Sequence, residues 1–315
     1  MSTYLVTGAA GFIGFALTEL LSQRGHSVIA ADVGLHANAQ AQLGRLRALD
    51  NVDVRVLDLS HPDQVATLPD VDGVYHLAAL NGTQNFYTNP WKTVKHSTIP
   101  TLLLLDRYAL ADKQPDFFFY AGSSESYAST VTRFGWEVPT GELVPLGIED
   151  PKEVRWSYGA SKLHGEIAVF AAQAETGLPV VVGRFHNAYG PNMGVHHVIP
   201  DFVNRGKNGV FELYGAPNTR SFIYIDDAVN AVTVLAEKAR GQVVNIGSPT
   251  EVTMRELAAV IMAEAGWQGE VVEFDAPSGS VNRRAPDVTR LREFIDTESF
   301  VPLDEGIRRT LPSYL

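Results

Sequence analysis

The sequence has no cysteine among its 315 residues, so disulfides, thiolate nucleophiles and cysteine-ligated metal sites are all excluded. It also lacks an apolar run long enough to cross a bilayer. No charged leader with an apolar core precedes the first predicted strand. We therefore expect a soluble, cytoplasmic protein with no membrane partner.

The sequence also has no block of basic residues. The net charge is −11, and the acidic side chains are spread along the chain. A nucleic-acid surface would need a basic stripe, so we expect no nucleic-acid partner, although a few local arginines could still hold a diphosphate. Apolar residues make up 45% of the chain and charged residues 19%, which is typical of a globular protein with a substantial core.

A glycine-rich turn, Val6-Thr7-Gly8-Ala9-Ala10-Gly11-Phe12-Ile13-Gly14, joins the first predicted strand to the first predicted helix. Gly8 permits the tight turn, Gly11 lets the backbone approach a pyrophosphate, and Gly14 lets the helix pack close to the strand. The N–H groups at the helix start, including those of Phe12 and Ile13, form an anion site together with the helix dipole. The pattern predicts dinucleotide binding, and the alternative is a turn that binds no ligand.

The second predicted strand, Ser27 to Ala31, ends at Asp32. An acid at this distance from the glycine turn suits a hydrogen bond to the ribose 2′-OH of the adenosine. Asp58 and Leu59 follow the third strand, where Asp58 could meet the adenine edge or serve as a turn or cap residue.

Strands and helices alternate through the first half of the chain. Further strands are predicted at Val52–Leu57, Val71–Leu77, Phe117–Tyr120 and Val180–Val182, and a long helix at Pro90–Ala111. This order predicts an α/β fold, a Rossmann-type doubly wound parallel sheet with helices on both faces. The stretch from Ser129 to Pro151 is predicted to be a loop. After Val182 the alternation loosens, and a strand is predicted at Thr219–Ile225, with Asp226 and Asp227 capping the helix that follows. We therefore expect a mainly NAD-binding domain over residues 1–183 and a smaller substrate-binding lobe over residues 184–315, with some chain crossing back.

Small and polar side chains follow two of these strands, at the sheet edge where ligands bind. Leu77, Ala78 and Ala79 end the fourth strand, where small residues would let a flat ring lie against the backbone or would simply pack tightly. The run Ser123-Ser124-Glu125 follows the fifth strand. Its hydroxyls and carboxylate indicate either a catalytic site or a solvated serine-rich loop.

Tyr158 and Lys162 lie one turn apart on a predicted helix, so their side chains share a face. An ammonium near a phenol lowers the pKa of the phenol. The tyrosine can then take a proton from a sugar hydroxyl while hydride leaves for a nicotinamide. Three histidines, His186, His196 and His197, have no carboxylate at a suggestive spacing, so no metal site is predicted.

Together these motifs resemble the extended short-chain dehydrogenase/reductase family, in particular its nucleotide-sugar epimerases, dehydratases and decarboxylases. The resemblance rests on the glycine turn, on residues 32, 58–59, 76–79, 123–125, 158 and 162, and on the segments 184–191, 220–227 and 284–287. It implies a tightly held NAD that is reduced and reoxidised within one turnover. The carboxylate of Asp32 would favour NAD over NADP, because it would repel a 2′-phosphate.

The resemblance also implies roles for individual residues. Tyr158 would be the base, Lys162 its partner and a ribose ligand, and Ser123 a hydrogen-bond donor to the sugar 4-position. The segment from Leu77 to Ala79 would contact the nicotinamide half of the cofactor. The substrate would be held by Asn187 at the sugar or its diphosphate, Arg220 and Arg284 at the phosphates, and Tyr214 near the base. Relatives commonly dimerise through the helices that correspond to Pro90–Ala111 and Tyr158–Ala174, so we expect a homodimer.

The residues after Ser123 indicate the branch of the family. The pair Ser124-Glu125 is similar to sugar-nucleotide decarboxylases and to one type of 4,6-dehydratase, and Arg155-Trp156 is similar to one group of glucuronic acid decarboxylases. We therefore predict oxidation at C4 by Tyr158 and Lys162, and then dehydration or decarboxylation. In these steps Glu125 would move the C5 proton or Arg220 would assist loss of CO2.

Four alternatives stay open. The segment 184–187 is similar to a 3,5-epimerase group. An epimerase at C4, or at C3 and C5, is therefore the alternative reaction, with no loss of mass. Glu125 could also be a structural carboxylate. A net oxidoreductase and a cofactor sensor without catalysis are the remaining classes.

Overall fold

The computed structural model describes residues 1–36, 38–195, 197–207, 209–276 and 281–315. The strands are β1 (Thr3–Thr7), β2 (Ser27–Asp32), β3 (Val52–Val56), β4 (Gly73–His76), β5 (Phe118–Ser123), β6 (Val180–Phe185), β7 (Ala188–Tyr189), β8 (Val210–Tyr214), β9 (Thr219–Ser221), β10 (Ile223–Tyr224), β11 (Val243–Ile246), β12 (Glu251–Thr253), β13 (Glu270–Phe274) and β14 (Arg283–Arg284). The helices are α1 (Phe12–Gln23), α2 (Ala39–Arg47), α3 (Pro62–Val65), α4 (Thr83–Thr88), α5 (Pro90–Ala109), α6 (Ala128–Phe134), α7 (Ser157–Thr176), α8 (Val198–Lys207), α9 (Ile225–Lys238), α10 (Met254–Ala265), α11 (Thr289–Arg292) and α12 (Leu303–Thr310). Short 3₁₀ turns cover Ser124–Tyr127, Val154–Trp156, Thr297–Ser299 and Leu311–Ser313.

The central sheet is parallel throughout, with the strand order β11-β6-β5-β4-β1-β2-β3. Its strands are apolar on both faces because helices cover both. Along β1, Tyr4 and Val6 pack into the core on one face with α1 and α9, whereas Leu5 packs on the other face with α5 and α7. This architecture confirms the predicted doubly wound α/β fold.

The second half of the chain contributes both to the sheet and to a smaller lobe. Strand β11 returns to the sheet and pairs with β6. The lobe contains two small sheets, in the orders β12-β9-β14 and β13-β8. Helices α8 and α10 pack against the second of these sheets. Residues of the central sheet and residues of the smaller lobe can therefore both line the site at the carboxyl ends of the parallel strands.

Two local predictions are wrong. The stretch from Ser129 to Pro151 is predicted to be a loop, but its first residues, up to Phe134, belong to the helix α6. The single strand expected from Thr219 to Ile225 is interrupted at Phe222, and α9 begins at Ile225. Asp226 and Asp227 therefore lie in the first turn of α9 instead of capping it, a position where the helix dipole favours acidic side chains. Among the described residues, no helix is long and apolar enough to cross a membrane.

Candidate active site

The glycine turn brings three elements into close contact. Gly8 has a φ of +70°, and a Cβ there would lie 2.9 Å from the backbone of Ala78 at the end of β4. A Cβ on Gly14 would lie 2.1 Å from the carbonyl oxygen of Gly8, so α1 can only pack this closely without a side chain. The turn therefore leaves bare backbone at the sheet edge, as a dinucleotide requires.

The start of α1 is open to an anion. Gly11 is the N-cap residue of α1 and offers no side-chain oxygen to the first-turn amides, which include those of Phe12 and Ile13. These amides and the helix dipole favour a negatively charged group. The residues present thus fit the pyrophosphate of the predicted NAD.

Asp32 lies at the carboxyl end of β2, where the sequence places it. Its side chain accepts hydrogen bonds from the amides of Ala10, at 3.0 Å, and Gly34, at 2.7 Å. An ionised carboxylate has about four acceptor positions, so it can still accept from a ribose hydroxyl. The two amides fix the carboxylate beside the glycine turn, which supports the predicted ribose contact.

Asp58 forms a turn after β3. Its carboxylate accepts from the amide of Ser60 at 2.8 Å, and its own amide donates to Oε1 of Gln64 at 2.6 Å. Burial raises the pKa of Asp58, but the hydrogen bonds from Ser60 outweigh this and the net shift is downward. These contacts show that Asp58 serves as a turn residue. Leu59 beside it is buried. Contact of Asp58 and Leu59 with the adenine of the cofactor stays a prediction.

A buried network that the sequence analysis missed supports the end of β4. The Thr7 hydroxyl accepts from the amide of Ala78 at 3.2 Å and lies 2.8 Å from Nδ1 of His76. Nε2 of His76 lies 2.9 Å from the Thr101 hydroxyl. Burial lowers the pKa of His76 to about 3, so the imidazole is neutral at pH 7. The network fixes the segment Leu77-Ala78-Ala79, which is predicted to contact the nicotinamide.

Ser123 and Tyr158 meet at the carboxyl end of β5. Ser123 ends β5 and Tyr158 lies in the first turn of α7, and the two side chains are close enough for the Ser123 hydroxyl to lower the pKa of the phenol. Ser124 is buried and opens the 3₁₀ turn that follows. Phe86 from α4 stacks on the Tyr158 ring, with a centroid distance of 5.0 Å and an interplanar angle of 11°. A hydroxyl and a phenol are thus held together where the sequence predicts the oxidation of the sugar.

The effect expected of Lys162 on Tyr158 is not found. Nζ of Lys162 donates to the carbonyl of Ala121 at 2.8 Å and lies 5.8 Å from the centroid of the Tyr158 ring. Burial, and then the charge of Glu125, raise the pKa of Tyr158, and the hydrogen bond with Ser123 only partly opposes them. Burial also lowers the pKa of Lys162 to about 8. The Lys162 ammonium is hydrogen-bonded to a strand carbonyl. The pKa of the Tyr158 phenol is therefore determined mainly by its burial from water.

Glu125 is held between two arginines. Its Oε1 lies 2.7 Å from Nη1 of Arg284, and its Oε2 lies 2.7 Å from Nη2 of Arg155. Burial alone would raise the pKa of Glu125, but the charges and hydrogen bonds of the two guanidinium groups lower it to about 2. The carboxylate is therefore ionised at neutral pH and is a weak base.

A third arginine adjoins this cluster. Arg220 and Arg284 are opposite each other on the paired strands β9 and β14. Arg220 donates to the carbonyls of Thr219 and Val281, each at 2.7 Å. Burial, and then the nearby charge of Arg284, lower the pKa of Arg220 to about 10, so it is still charged at pH 7. Three arginines around one carboxylate make this end of the site strongly positive.

The predicted contact for the base lies in a separate groove. Tyr214 lines a groove of about 550 Å³ together with Phe202, Arg205 and Met254. Its ring stacks on Phe274 at a centroid distance of 5.0 Å. An open groove with an aromatic face suits a flat heterocycle, which supports the prediction for Tyr214.

Two further predicted residues have structural contacts. Asn187 has a φ of +26° and donates from Nδ2 to the carbonyl of Ser221 at 2.8 Å, so its amide joins β9 to the end of β6. His186 is buried, with Nε2 lying 2.5 Å from the hydroxyl of Tyr127, and burial lowers its pKa to about 3. His196 lies outside the described residues. Within the described ranges, no group of three metal-ligating side chains forms.

The chain is similar to known proteins over nearly its whole length. The model of the NAD dependent epimerase/dehydratase family matches residues 4–247. UDP-glucuronic acid decarboxylase 1 of Xenopus tropicalis is 30% identical over 98% of this chain and 70% of its own length. UDP-glucose 4-epimerase of Thermotoga maritima superposes with a TM-score of 0.85 at 26% identity, over 99% of this chain and 98% of its own. UDP-glucuronic acid 4-epimerase of Bacillus cereus has the same fold, with a TM-score of 0.83 at 21% identity, over 99% of this chain and 98% of its own.

Proposed function

Because the chain belongs to the NAD dependent epimerase/dehydratase family, we propose that it is a decarboxylase of a nucleoside-diphosphate uronate such as UDP-glucuronate. Family membership confirms the resemblance, the enzymatic activity and the NAD cofactor predicted from the sequence. Decarboxylation and the uronate are the proposal. UDP-glucuronic acid decarboxylases are among the relatives of this chain, and one of them covers nearly all of it.

The observation that carries the proposal is the pair of arginines on Glu125, next to Ser123 and Tyr158. Dehydration of a 4-keto sugar needs a base that removes the C5 proton. A carboxylate with a pKa of about 2 performs that step poorly. Loss of CO2 from a β-keto acid needs no proton abstraction at C5. Of the two eliminations left open by the sequence, the site therefore favours decarboxylation.

The proposed reaction begins at Tyr158. The Tyr158 oxygen takes the proton of the sugar C4 hydroxyl, which Ser123 holds by a hydrogen bond. Burial disfavours the phenolate in the protein alone, and the positive charge of a nicotinamide bound beside it would favour the phenolate. NAD, when bound, supplies the hydride acceptor and later the hydride donor at C4. Oxidation at C4 makes the C6 carboxylate that of a β-keto acid.

The C5–C6 bond then breaks, CO2 leaves, and the electron pair moves to the C4 oxygen as an enolate. Ser123 and the protonated Tyr158 stabilise that oxyanion with hydrogen bonds. C5 receives a proton, and return of hydride and proton to C4 restores the hydroxyl. The cycle therefore consumes no net NAD.

A 4-epimerase of the same uronate is the second candidate. The Ser123–Tyr158 pair serves that reaction equally well, and a UDP-glucuronic acid 4-epimerase shares the fold. Epimerisation at C4 has no use for an arginine-bound glutamate beside the C4 machinery. This is why we place it second.

The proposal is tested with the purified protein, catalytic amounts of NAD, and UDP-glucuronate or UDP-glucose. We expect CO2 release from UDP-glucuronate, a product lighter by that mass, and no accumulation of NADH. A dehydrated product from UDP-glucose would contradict the decarboxylase. NADH formed in proportion to substrate would instead indicate a net oxidoreductase.

The remaining contacts stay predictions. Asn187, Arg220 and Arg284 would hold the sugar and its diphosphate, and Tyr214 would lie against the base. We also propose a homodimer through α5 and α7. Exposed apolar side chains on these helices, Trp91, Leu102 and Ile167, support it.

A further inference from the structure

We propose that Arg155 determines specificity, by binding the carboxylate of the substrate sugar through its second guanidinium nitrogen. This inference rests on the proposed function, because only a uronate carries that carboxylate. It assigns a role to the residue three positions before Tyr158, for which the spacing of the motifs gave none.

The first observation is an unused donor. Nη2 of Arg155 lies 2.7 Å from Oε2 of Glu125. Nη1 is buried and has no hydrogen-bond partner within the described part of the chain. A buried donor without a partner is costly, and a guanidinium group presents its N–H groups as a fork that matches a carboxylate. Arg155 is therefore a cation that pairs with Glu125 through Nη2 and keeps its Nη1 donor without a partner.

The second observation is how the guanidinium is held. Its central carbon lies 5.0 Å from the centroid of the Trp156 ring and 5.9 Å from that of Phe86. Aromatic faces attract a cation without occupying its N–H groups. Phe86 also stacks on Tyr158. The same aromatic ring therefore positions both the cation and the catalytic phenol, which links the carboxylate of the sugar to its C4 hydroxyl.

The other two arginines are less free to take this role. Both terminal nitrogens of Arg220 already donate to backbone carbonyls. Nη1 of Arg284 donates to Oε1 of Glu125. The Arg155 side chain is also the more accessible of the Glu125 pair, at 22% exposed against 12% for Arg284.

The test compares two ligands that differ only in the carboxylate. Dissociation constants of UDP-glucuronate and of UDP-xylose are measured by calorimetry with saturating NAD. All variants carry Tyr158→Phe, which slows turnover by about 10²–10⁴-fold during the measurement. We expect Arg155→Met to raise the dissociation constant of UDP-glucuronate by roughly tenfold to a hundredfold, which is the usual effect of losing a charge-assisted hydrogen bond. Binding of UDP-xylose should change by less than about twofold. The dissociation constant of UDP-glucuronate for Arg155→Lys should lie between those for arginine and methionine. Lysine keeps the positive charge but loses the paired N–H groups of the guanidinium.

The matched control is Arg133→Met, at an exposed arginine paired with Glu149, which should change neither constant. Equal weakening of both ligands by Arg155→Met would overturn the inference, since it would show that Arg155 acts only by holding Glu125 or the fold. If the protein with Tyr158 and Arg155 intact released no CO2 from UDP-glucuronate, the proposed function would fail instead, whatever the binding constants of the Arg155 variants. The two failures are therefore distinguishable.

Discussion

Replacing Tyr158 by phenylalanine is expected to lower kcat by about 10²–10⁴-fold, the usual contribution of a positioned acid–base group. The phenol is the group that we propose takes the C4 proton, and its ring is buried between Phe86 and the end of β5. Phenylalanine keeps the ring and its stacking. The loss should therefore fall on kcat, with KM and the melting temperature nearly unchanged.

Steady-state release of CO2 from UDP-glucuronate measures this effect. Tyr108→Phe is the matched control, because Tyr108 is a buried tyrosine whose hydroxyl donates to the carbonyl of Pro69, outside the site. That control should lose about 1 kcal/mol of unfolding free energy and keep its kcat. Activity of Tyr158→Phe within a few-fold of the unaltered protein would exclude Tyr158 as the proton acceptor.

Glu125→Gln should have the second largest effect, and it should act on both stability and rate. Removing the negative charge leaves Arg155 and Arg284 without their counter-ion, and breaking a buried pair of this kind costs about 3–5 kcal/mol of unfolding free energy. The freed arginines should bind the uronate more tightly in the ground state, which lowers KM and also lowers kcat, by roughly tenfold. Release of CO2 should continue.

The pH dependence distinguishes this role from acid–base catalysis. The folded-state pKa of Glu125 is about 2, below its ordinary value of 4.5. The ion pairs are therefore complete above pH 4.5 and are lost only as the pH falls towards 2. Between about pH 6 and 9 the carboxylate does not titrate, so Glu125→Gln should remove no limb from the kcat profile. Loss of its negative charge should only move the limb that belongs to Tyr158 to lower pH, because that charge raises the pKa of the phenol.

Glu251→Gln removes a carboxylate that also pairs with an arginine, Arg283, in a more exposed position, and it should leave kcat unchanged. If the Glu125→Gln variant accumulated the 4-keto uronate and released no CO2, the proposed role of Glu125 would be contradicted. That result would return Glu125 to the role of proton-transfer group at C5.

The fold could be predicted because it follows from local patterns. Apolar runs such as 73–76 and 180–185 are buried on both sides, and the glycine turn restricts its backbone through contacts that its own residues make. Asp32 was found for the same reason, since it lies at a fixed distance from that turn. The helix α6 was missed because its seven residues carry no apolar periodicity strong enough to distinguish it from a polar loop.

The charge pattern of the site could not be predicted from the sequence. Arg284 and Glu125 are 159 residues apart and meet only because β14 pairs with β9 above the sheet edge. From the sequence alone, Glu125 is predicted to be an unpaired acid and Arg284 a phosphate ligand, because their contact is not visible in the sequence. The pKa of Tyr158 depends in the same way on burial by Phe86 and on the direction of Lys162, which helix spacing does not determine.

The most direct test of the central claim is the product that UDP-glucuronate yields in D₂O, analysed by mass spectrometry and proton NMR. Decarboxylation replaces the carboxylate at C5 with a proton from solvent. We therefore expect a product lighter by CO2 that carries one deuterium at C5. A product that keeps the carboxylate, either as the C4 epimer without deuterium or with deuterium exchanged at C5, would contradict it.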